Sequence, residues 1–403
     1  MRDRRILYLQ YTNPAAYPPL EHSSTILADG GWSVLFVGTG AFGASALRFA
    51  PRSNVTVVTR PFVAAGWRQK LDYLRFAASV VTYVARWRPR WVYASDILSA
   101  PIALLLGFLP GVRIVYHEHD APETTGRGWR QVFSGWARRQ VARRSIACVA
   151  PNGARAELLE KDTGRAGVSR VWNCPSVSEV GRAREPVAMG DDLWLLYHGS
   201  IVPSRLPEAV VHALARLPER VKLRVVGYET VGHTGYLDEL LVLARRLRVE
   251  GRIHAIGPVP TRAELLGWCG RSDVGLAFMP ADAQEVNEQH MLGASNKPFD
   301  YLSQGLALLV GRGHDWVRTF VDGGFALACD PMDPASIAGA VERCLADPRA
   351  MRTMGERGRR RILATWNYET QFAGVLRVLN GDPSREGEDG HVHVGSLRAS
   401  CSR

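Results

Sequence analysis

The sequence predicts an α/β chain of two domains, each a parallel sheet covered by helices on both faces. Three observations carry this. Short apolar, β-branched runs recur through the first half at residues 5–9, 33–37, 54–59, 91–94, 113–116 and 146–150. A second such series follows at 193–197, 221–226, 252–256, 274–278, 306–310 and 325–329. Between the two lies SEVGRAREPVAMGDD, residues 178–192, polar and turn-rich, which reads as a linker. Runs that do not alternate, separated by helical stretches, belong to strands buried on both faces. A chain of 403 residues is long enough for two such cores.

Two helices of the first half hold much of its positive charge. Residues 67–90 place Leu71, Leu74, Ala78 and Val81 on one stripe and Tyr73, Phe76, Val80, Val84 and Trp87 on another, with Arg or Lys at 68, 70, 75, 86, 88 and 90. Residues 127–144 contain six arginines and no acid, with Trp129, Val132, Phe133 and Trp136 at helical spacing. Such a helix suits an anionic lipid surface. The plainer expectation is a domain-surface helix whose aromatics pack inward and whose arginines are solvated. Further along, SNKPFDYLSQGLALLV, residues 295–310, reads as a short helix opened by Ser295, a stop at Gly305 and a buried strand. Helices from about 334 to 379 close the folded part, and residues 381–403, without apolar periodicity, read as a disordered tail.

The formal charge is +11, and residues 1–150 hold 19 Lys/Arg against 8 Asp/Glu while the rest balances. A basic half points to a membrane surface, a nucleic acid or a phosphorylated substrate. The six cysteines are scattered without a CxxC pair and read as buried free thiols. The apolar run after Arg5 is too short for a signal peptide, and that at 100–109 too short to span a bilayer. The expected location is the cytoplasm, with a peripheral position at the inner face of a membrane.

Gly38, Gly40 and Gly43 match GxGxxG, but after the second strand, with no acid ending the next; a glycine-rich turn is the reading. His117-Glu118-His119-Asp120 closes a strand, with the histidines on one face and the acids on the other. No further ligands with metal spacing accompany the histidines, so a polar site at a strand end is expected in preference to zinc. The second half opens with LWLLYHG, followed by Ser200-Ile-Val-Pro-Ser-Arg205 and a helix to about 217; the plainer reading is an ordinary βα turn with Ser204 as cap. Free N–H groups there, with the guanidinium of Arg205, would bind a diphosphate. The strands at 221–227 and 252–258 also end near glycines, leaving room for close backbone approach.

These segments together resemble the family 4 retaining glycosyltransferases. LYHGSIVPSRLPEAVVHAL is similar to the family's strand, glycine turn and basic residue for the donor diphosphate, and NKPFDYLSQGLALLV to the segment with its second donor-site carboxylate. VKLRVVGYE, RIHAIGPVPTRAELLGW and RSDVGLAFMP resemble the units between, ACVAPNGARAELLE and VSRVWNCP the interdomain approach, and WNYETQFAGVLRVL the closing helix. The resemblance implies the GT-B fold, two Rossmann-like domains facing a central cleft. Residues 1–180 would form the acceptor-side domain, 181–365 the nucleotide-sugar domain, and 366–380 the helix crossing back.

By the same resemblance His119 and Asp120 are the catalytic candidates. Gly199, Ser200, Arg205, Gly227, Asn296, Lys297, Asp300 and Tyr301 would bind the donor, with Arg205 and Lys297 on the diphosphate and Asp300 on the ribose. Glu118 and Tyr17 would face the acceptor. No metal or cofactor is implied beyond the nucleotide sugar. The family commonly carries Glu-x7-Glu; here the second acid is Asp300 and the first position is Leu292, with Glu285 and Glu288 nearby as substitutes. The first-strand loop TNPAAYPPLEHSS lacks the expected glycine pair. The expected function is transfer of a sugar, with retention, to an envelope glycan, lipid-linked or small-molecule acceptor. The alternatives are a nucleotide-sugar epimerase or hydrolase of the same fold and a non-catalytic nucleotide-sugar or glycan-binding module. Nucleic-acid binding lacks a motif.

Overall fold

A computed structural model describes residues 4–122, 128–185, 190–279, 283 and 285–381. The expected tail beyond 381 lies outside the described residues, as do positions 186–189 of the linker. The first sheet contains β1 (Arg5–Leu9), β2 (Ser33–Thr39), β3 (Val55–Arg60), β4 (Trp91–Ser95), β5 (Arg113–His117), β6 (Ala147–Ala150) and β7 (Ser169–Arg170). The second contains β8 (Leu193–Ile201), β9 (Val221–Glu229), β10 (Ile253–Gly257), β11 (Val274–Ala277), β12 (Ala307–Val310) and β13 (Ala326–Ala328). Their orders are β3-β2-β1-β4-β5-β6-β7 and β10-β9-β8-β11-β12-β13, and all pairings are parallel. In both, the order reverses beside the first strand of the sheet, where side-by-side loops leave a crevice at the strand carboxyl ends.

Each sheet is buried on two faces, as strands without alternation require. In the first, Leu7, Leu35, Val92 and Tyr116 pack under helices Trp67–Trp87, Asp96–Leu106, Trp129–Arg144 and Gly153–Thr163. Ile6, Tyr8, Phe36 and Tyr93 form the opposite face, covered by helix Pro18–Asp29 and by the last helix, Tyr368–Asn380. The chain therefore passes between the sheets twice. The two passages lie together: the Tyr368 amide donates to the Pro175 carbonyl (2.9 Å), and Trp172 meets Trp366 with ring centroids 6.0 Å apart.

Of the two basic outer helices, the first follows one of its two expected stripes and the second departs from the plainer expectation. In Trp67–Trp87 the core stripe is Phe76, Val80 and Val84, while Leu71 and Leu74 are exposed. In Trp129–Arg144 the buried side is Ala137, Val141 and Ala142, together with Arg138, and the apolar Val132, Phe133 and Trp136 face outward. Small residues let this helix lie close to its neighbour, so the aromatics have no room beneath it.

Candidate active site

The carboxyl ends of the two sheets enclose a cleft of about 410 Å³. The second domain supplies its charged wall. Two residues before the end of β8 stands Gly199, with φ of 101°, and two before the end of β9 Gly227; the two are paired, and a Cβ on Gly227 would lie 1.9 Å from the Gly199 carbonyl oxygen. Both positions thus need glycine, one for its backbone angle and one for close approach. Arg205 follows in a turn, Val202 to Leu206, and the helix begins only at Ala209; Ser204 bonds Glu288 (3.2 Å) instead of capping. Arg205 therefore reaches the cleft as a side chain from a turn, and the helix start expected beside it lies four residues further on. Its Nε is buried without a partner.

The stretch from Lys297 to Ser303 is a helix, buried at every position, preceded by Asn296 and followed by Gly305 at φ 73°. Lys297 and Asp300 both line the cleft. Burial, and then the neighbouring Arg205, push the Lys297 amine down to about 7. No carboxylate among the described residues pairs with Lys297 or Arg205. Asp300 is 1% exposed, and burial raises its carboxyl against the pull of Arg262. Its Oδ1 accepts from Arg262 (2.8 Å); its Oδ2 has no hydrogen bond and lies 3.4 Å from His198 Nε2. His198 is held neutral by burial and by the nearby Lys297 and Arg262.

Arg262 also binds Glu179 of the interdomain passage (2.7 and 3.0 Å), and Glu179 meets His22 of the first domain (2.8 Å). Burial opposes ionisation of Glu179, but Arg262 and His22 overcome it and hold its carboxyl well below the usual range. A chain of contacts thus runs from the first domain through the passage to Asp300.

The first domain supplies the facing wall. Tyr17 and His119 line the cleft with ring centroids 5.0 Å apart. Both ring nitrogens of His119 are buried without partners, and burial pushes its pKa down to about 4, so the imidazole is neutral near pH 7. Its backbone is held by Asp96, whose Oδ1 accepts the His119 amide (2.7 Å). Asp96 adopts a φ of 62°, a left-handed conformation that a non-glycine residue takes at some cost, and burial and Asp120 push its carboxyl up to about 7. Asp120 lines the cleft and pairs with Arg155 (3.0 Å), which also donates to the Asn287 carbonyl (2.7 Å) across the interface.

Of the expected site residues, Tyr17, His119, Asp120, Gly199, Ser200, Arg205, Gly227, Asn296, Lys297 and Asp300 line one cleft. Two do not. Glu118 turns into the first core, where Arg138 binds both its oxygens (2.5 and 2.7 Å) and Tyr116 donates to it (3.0 Å). Its place on the acceptor side is withdrawn: alternation sends it opposite to His119. Tyr301 packs its ring over Gly275 and accepts the His198 amide at its hydroxyl (3.0 Å), so it supports the site from behind. Gly38 and Gly43 serve contact: a Cβ on Gly38 would meet Pro14, and one on Gly43 the Glu229 carbonyl across the cleft. Among the described residues no group of three His, Cys, Asp or Glu converges as a metal site. Leu292 packs against the cluster around Phe299, and Glu285 and Glu288 are absent from the cleft lining.

A family model for the glycosyl transferase 4-like domain matches residues 20–172, and one described as glycosyl transferase-like matches residues 205–377. The chain belongs to the family 4 glycosyltransferases. A GDP-mannose-dependent alpha-(1-6)-phosphatidylinositol monomannoside mannosyltransferase of Mycolicibacterium smegmatis is 27% identical over 218 residues. That match covers 53% of this chain and 55% of the relative, about half its length. Sucrose-phosphate synthase from Thermosynechococcus elongatus superposes with a TM-score of 0.67 at 15% identity, over 94% of this glycosyltransferase and 99% of that chain. HepE of Anabaena, in complex with UDP and glucose, gives 0.67 at 16%, over 94% and 100%. The fold of this glycosyltransferase is GT-B.

Proposed function

We propose that this glycosyltransferase moves a sugar from a nucleotide diphosphate donor, with retention at the anomeric carbon, to a glycan, lipid-linked or small-molecule acceptor. The observation that carries the reading is the pair Arg205 and Lys297, facing the cleft with no ion-pair partner among the described residues, beside the unpartnered Oδ2 of Asp300. Two such cations hold a diphosphate, and a carboxylate oxygen accepts ribose hydroxyls. In the reaction the bond from the anomeric carbon to the phosphate oxygen breaks, and the bond to the acceptor oxygen forms on the same face. The acceptor proton passes to the departing phosphate. The charge that grows there is met by preorganised side-chain cations, which take the part a metal ion would otherwise play. Neutral His119 stands opposite, able to accept one hydroxyl and donate to another. The Mycolicibacterium relative uses GDP-mannose and the Anabaena neighbour holds UDP and glucose, which supports a nucleotide-sugar donor.

A thermal-shift panel of UDP, GDP, dTDP and ADP with their sugars tests this. The right nucleotide at about 100 times its Kd should stabilise by roughly 2.7 kcal/mol. No shift with any of them would overturn the donor site.

The acceptor side of the reading includes an anionic membrane surface, with the enzyme peripheral at the cytoplasmic face. No helix among the described residues is long and apolar enough to cross a membrane. Yet most exposed large hydrophobic side chains among them precede residue 150, including Leu98, Val132, Phe133 and Trp136 on two packed helices. Arg139, Arg143 and Arg144 are exposed on the same helix as Phe133. Apolar insertion beside arginines matches anionic lipid. Anionic vesicles should bind in a salt-sensitive way; equal binding to neutral vesicles would refute this part.

A further inference from the structure

Asn173 was not among the residues expected at the site, yet it lies in the interdomain passage, is 7% exposed and lines the cleft. Its backbone amide donates to the Gly293 carbonyl (2.7 Å) and its side-chain Nδ2 to the Ala294 carbonyl (2.5 Å). The second bond fixes which way the side-chain amide faces, because the atom against a carbonyl must be the donor. The oxygen is therefore the atom left over, and Oδ1 has no hydrogen-bond partner. A buried amide oxygen in that state is costly to the fold and calls for a partner that arrives with a ligand.

The segment that holds Asn173 directly follows Leu292, where the family commonly carries an acid. Leu292 offers no polar group: its side chain packs against the apolar cluster around Phe299, and its carbonyl takes Asn152 Nδ2 (2.8 Å). The neighbouring Asn296 also lines the cleft with its Oδ1 unpartnered. What this end of the cleft offers is amide oxygen in place of carboxylate.

We propose that the Asn173 amide oxygen accepts a hydroxyl of the donor sugar, taking over the contact that the missing acid at position 292 would make. The inference rests on the donor reading above. The sugar must then bring a hydroxyl to that point, and the contact keeps its strength at pH values where a carboxylate would be protonated.

Calorimetric titration of the full chain with UDP, GDP, UDP-glucose and GDP-mannose tests it, through the ratio of Kd for the nucleotide diphosphate to Kd for its sugar. Asn173→Ala should lower that ratio about tenfold and leave the diphosphate Kd unchanged. In the wild type, one monodeoxy analogue of the preferred donor should lose the same factor, and in Asn173→Ala that analogue should lose nothing further. Asn173→Ser serves in its place if the alanine variant melts early. An unchanged ratio would overturn the inference, as would equal weakening of diphosphate and sugar nucleotide, which marks a purely structural role in the passage. Failure of the wild type to bind any of the four would overturn the donor reading and this inference together.

Discussion

The two halves of the molecule are built alike but differ in one class of charge, the cations that face the cleft. In the first, buried cations are matched: Arg138 lies against Glu118 and Arg155 against Asp120, while unmatched arginines and bare apolar side chains face outward. In the second, Arg262 and Arg352 are matched in the same way, but no carboxylate among the described residues pairs with Lys297 or Arg205 in the cleft, and the burial of Lys297 depresses its amine. A matched buried cation is a structural element. An unmatched one is poised for an anion that comes and goes, and it weakens the fold until the anion arrives.

The sharpest way to break this comparison is to remove one cation from each half. Arg138→Met leaves Glu118 ionisable in the core and should cost about 3–5 kcal/mol in urea unfolding; a loss below about 1 kcal/mol would mean the pair is not structural. Lys297→Met should leave stability unchanged or raise it, while weakening nucleotide diphosphate binding by about 1.5–3 kcal/mol, read by calorimetry. Unaltered binding would remove Lys297 from the donor site.

The same contrast has a pH signature. With its pKa lowered to about 7 in the free protein, Lys297 is cationic below that pH and neutral above it. A bound diphosphate favours the cation, so binding takes up a proton and nucleotide affinity should fall as pH rises above about 7. The limit is about tenfold per pH unit. Lys297→Met should flatten that slope, and a slope that survives would assign it to another group. The smallest effect is expected on the outer face. Phe133→Ser with Trp136→Ser should lower binding to anionic vesicles severalfold while changing stability by less than about 0.5 kcal/mol per site.

Much of the fold could be read from the sequence because strands buried on both faces must be continuously apolar, and no other element of that length is. What periodicity could not tell was which of two faces is covered. It put His119 and Glu118 on opposite sides of one strand end but could not say that the Glu118 side is core, since that depends on Arg138 arriving from twenty residues away. Tyr301 was misjudged likewise, because a tyrosine next to a cleft residue on a helix points a third of a turn away. Arg262, Glu179, Asn173 and Asp96 were missed because each depends on a partner remote in sequence. One local signal was available. Lys297 and Arg262 are each the first residue of a helix and Arg155 the third. A cation is disfavoured at that positive end unless something else holds it there, and all three line the cleft.

The double passage between the sheets limits how the enzyme can move. One connecting strand would act as a swivel, leaving the domains free to twist about it. Two strands joined by the Tyr368–Pro175 hydrogen bond and the Trp172–Trp366 contact resist torsion. Twisting would strain both contacts, whereas bending, which widens or narrows the gap between His119 and Lys297, strains them less. A substitution that stiffens the passage should therefore slow opening of the cleft, read as slower nucleotide binding and release in stopped flow.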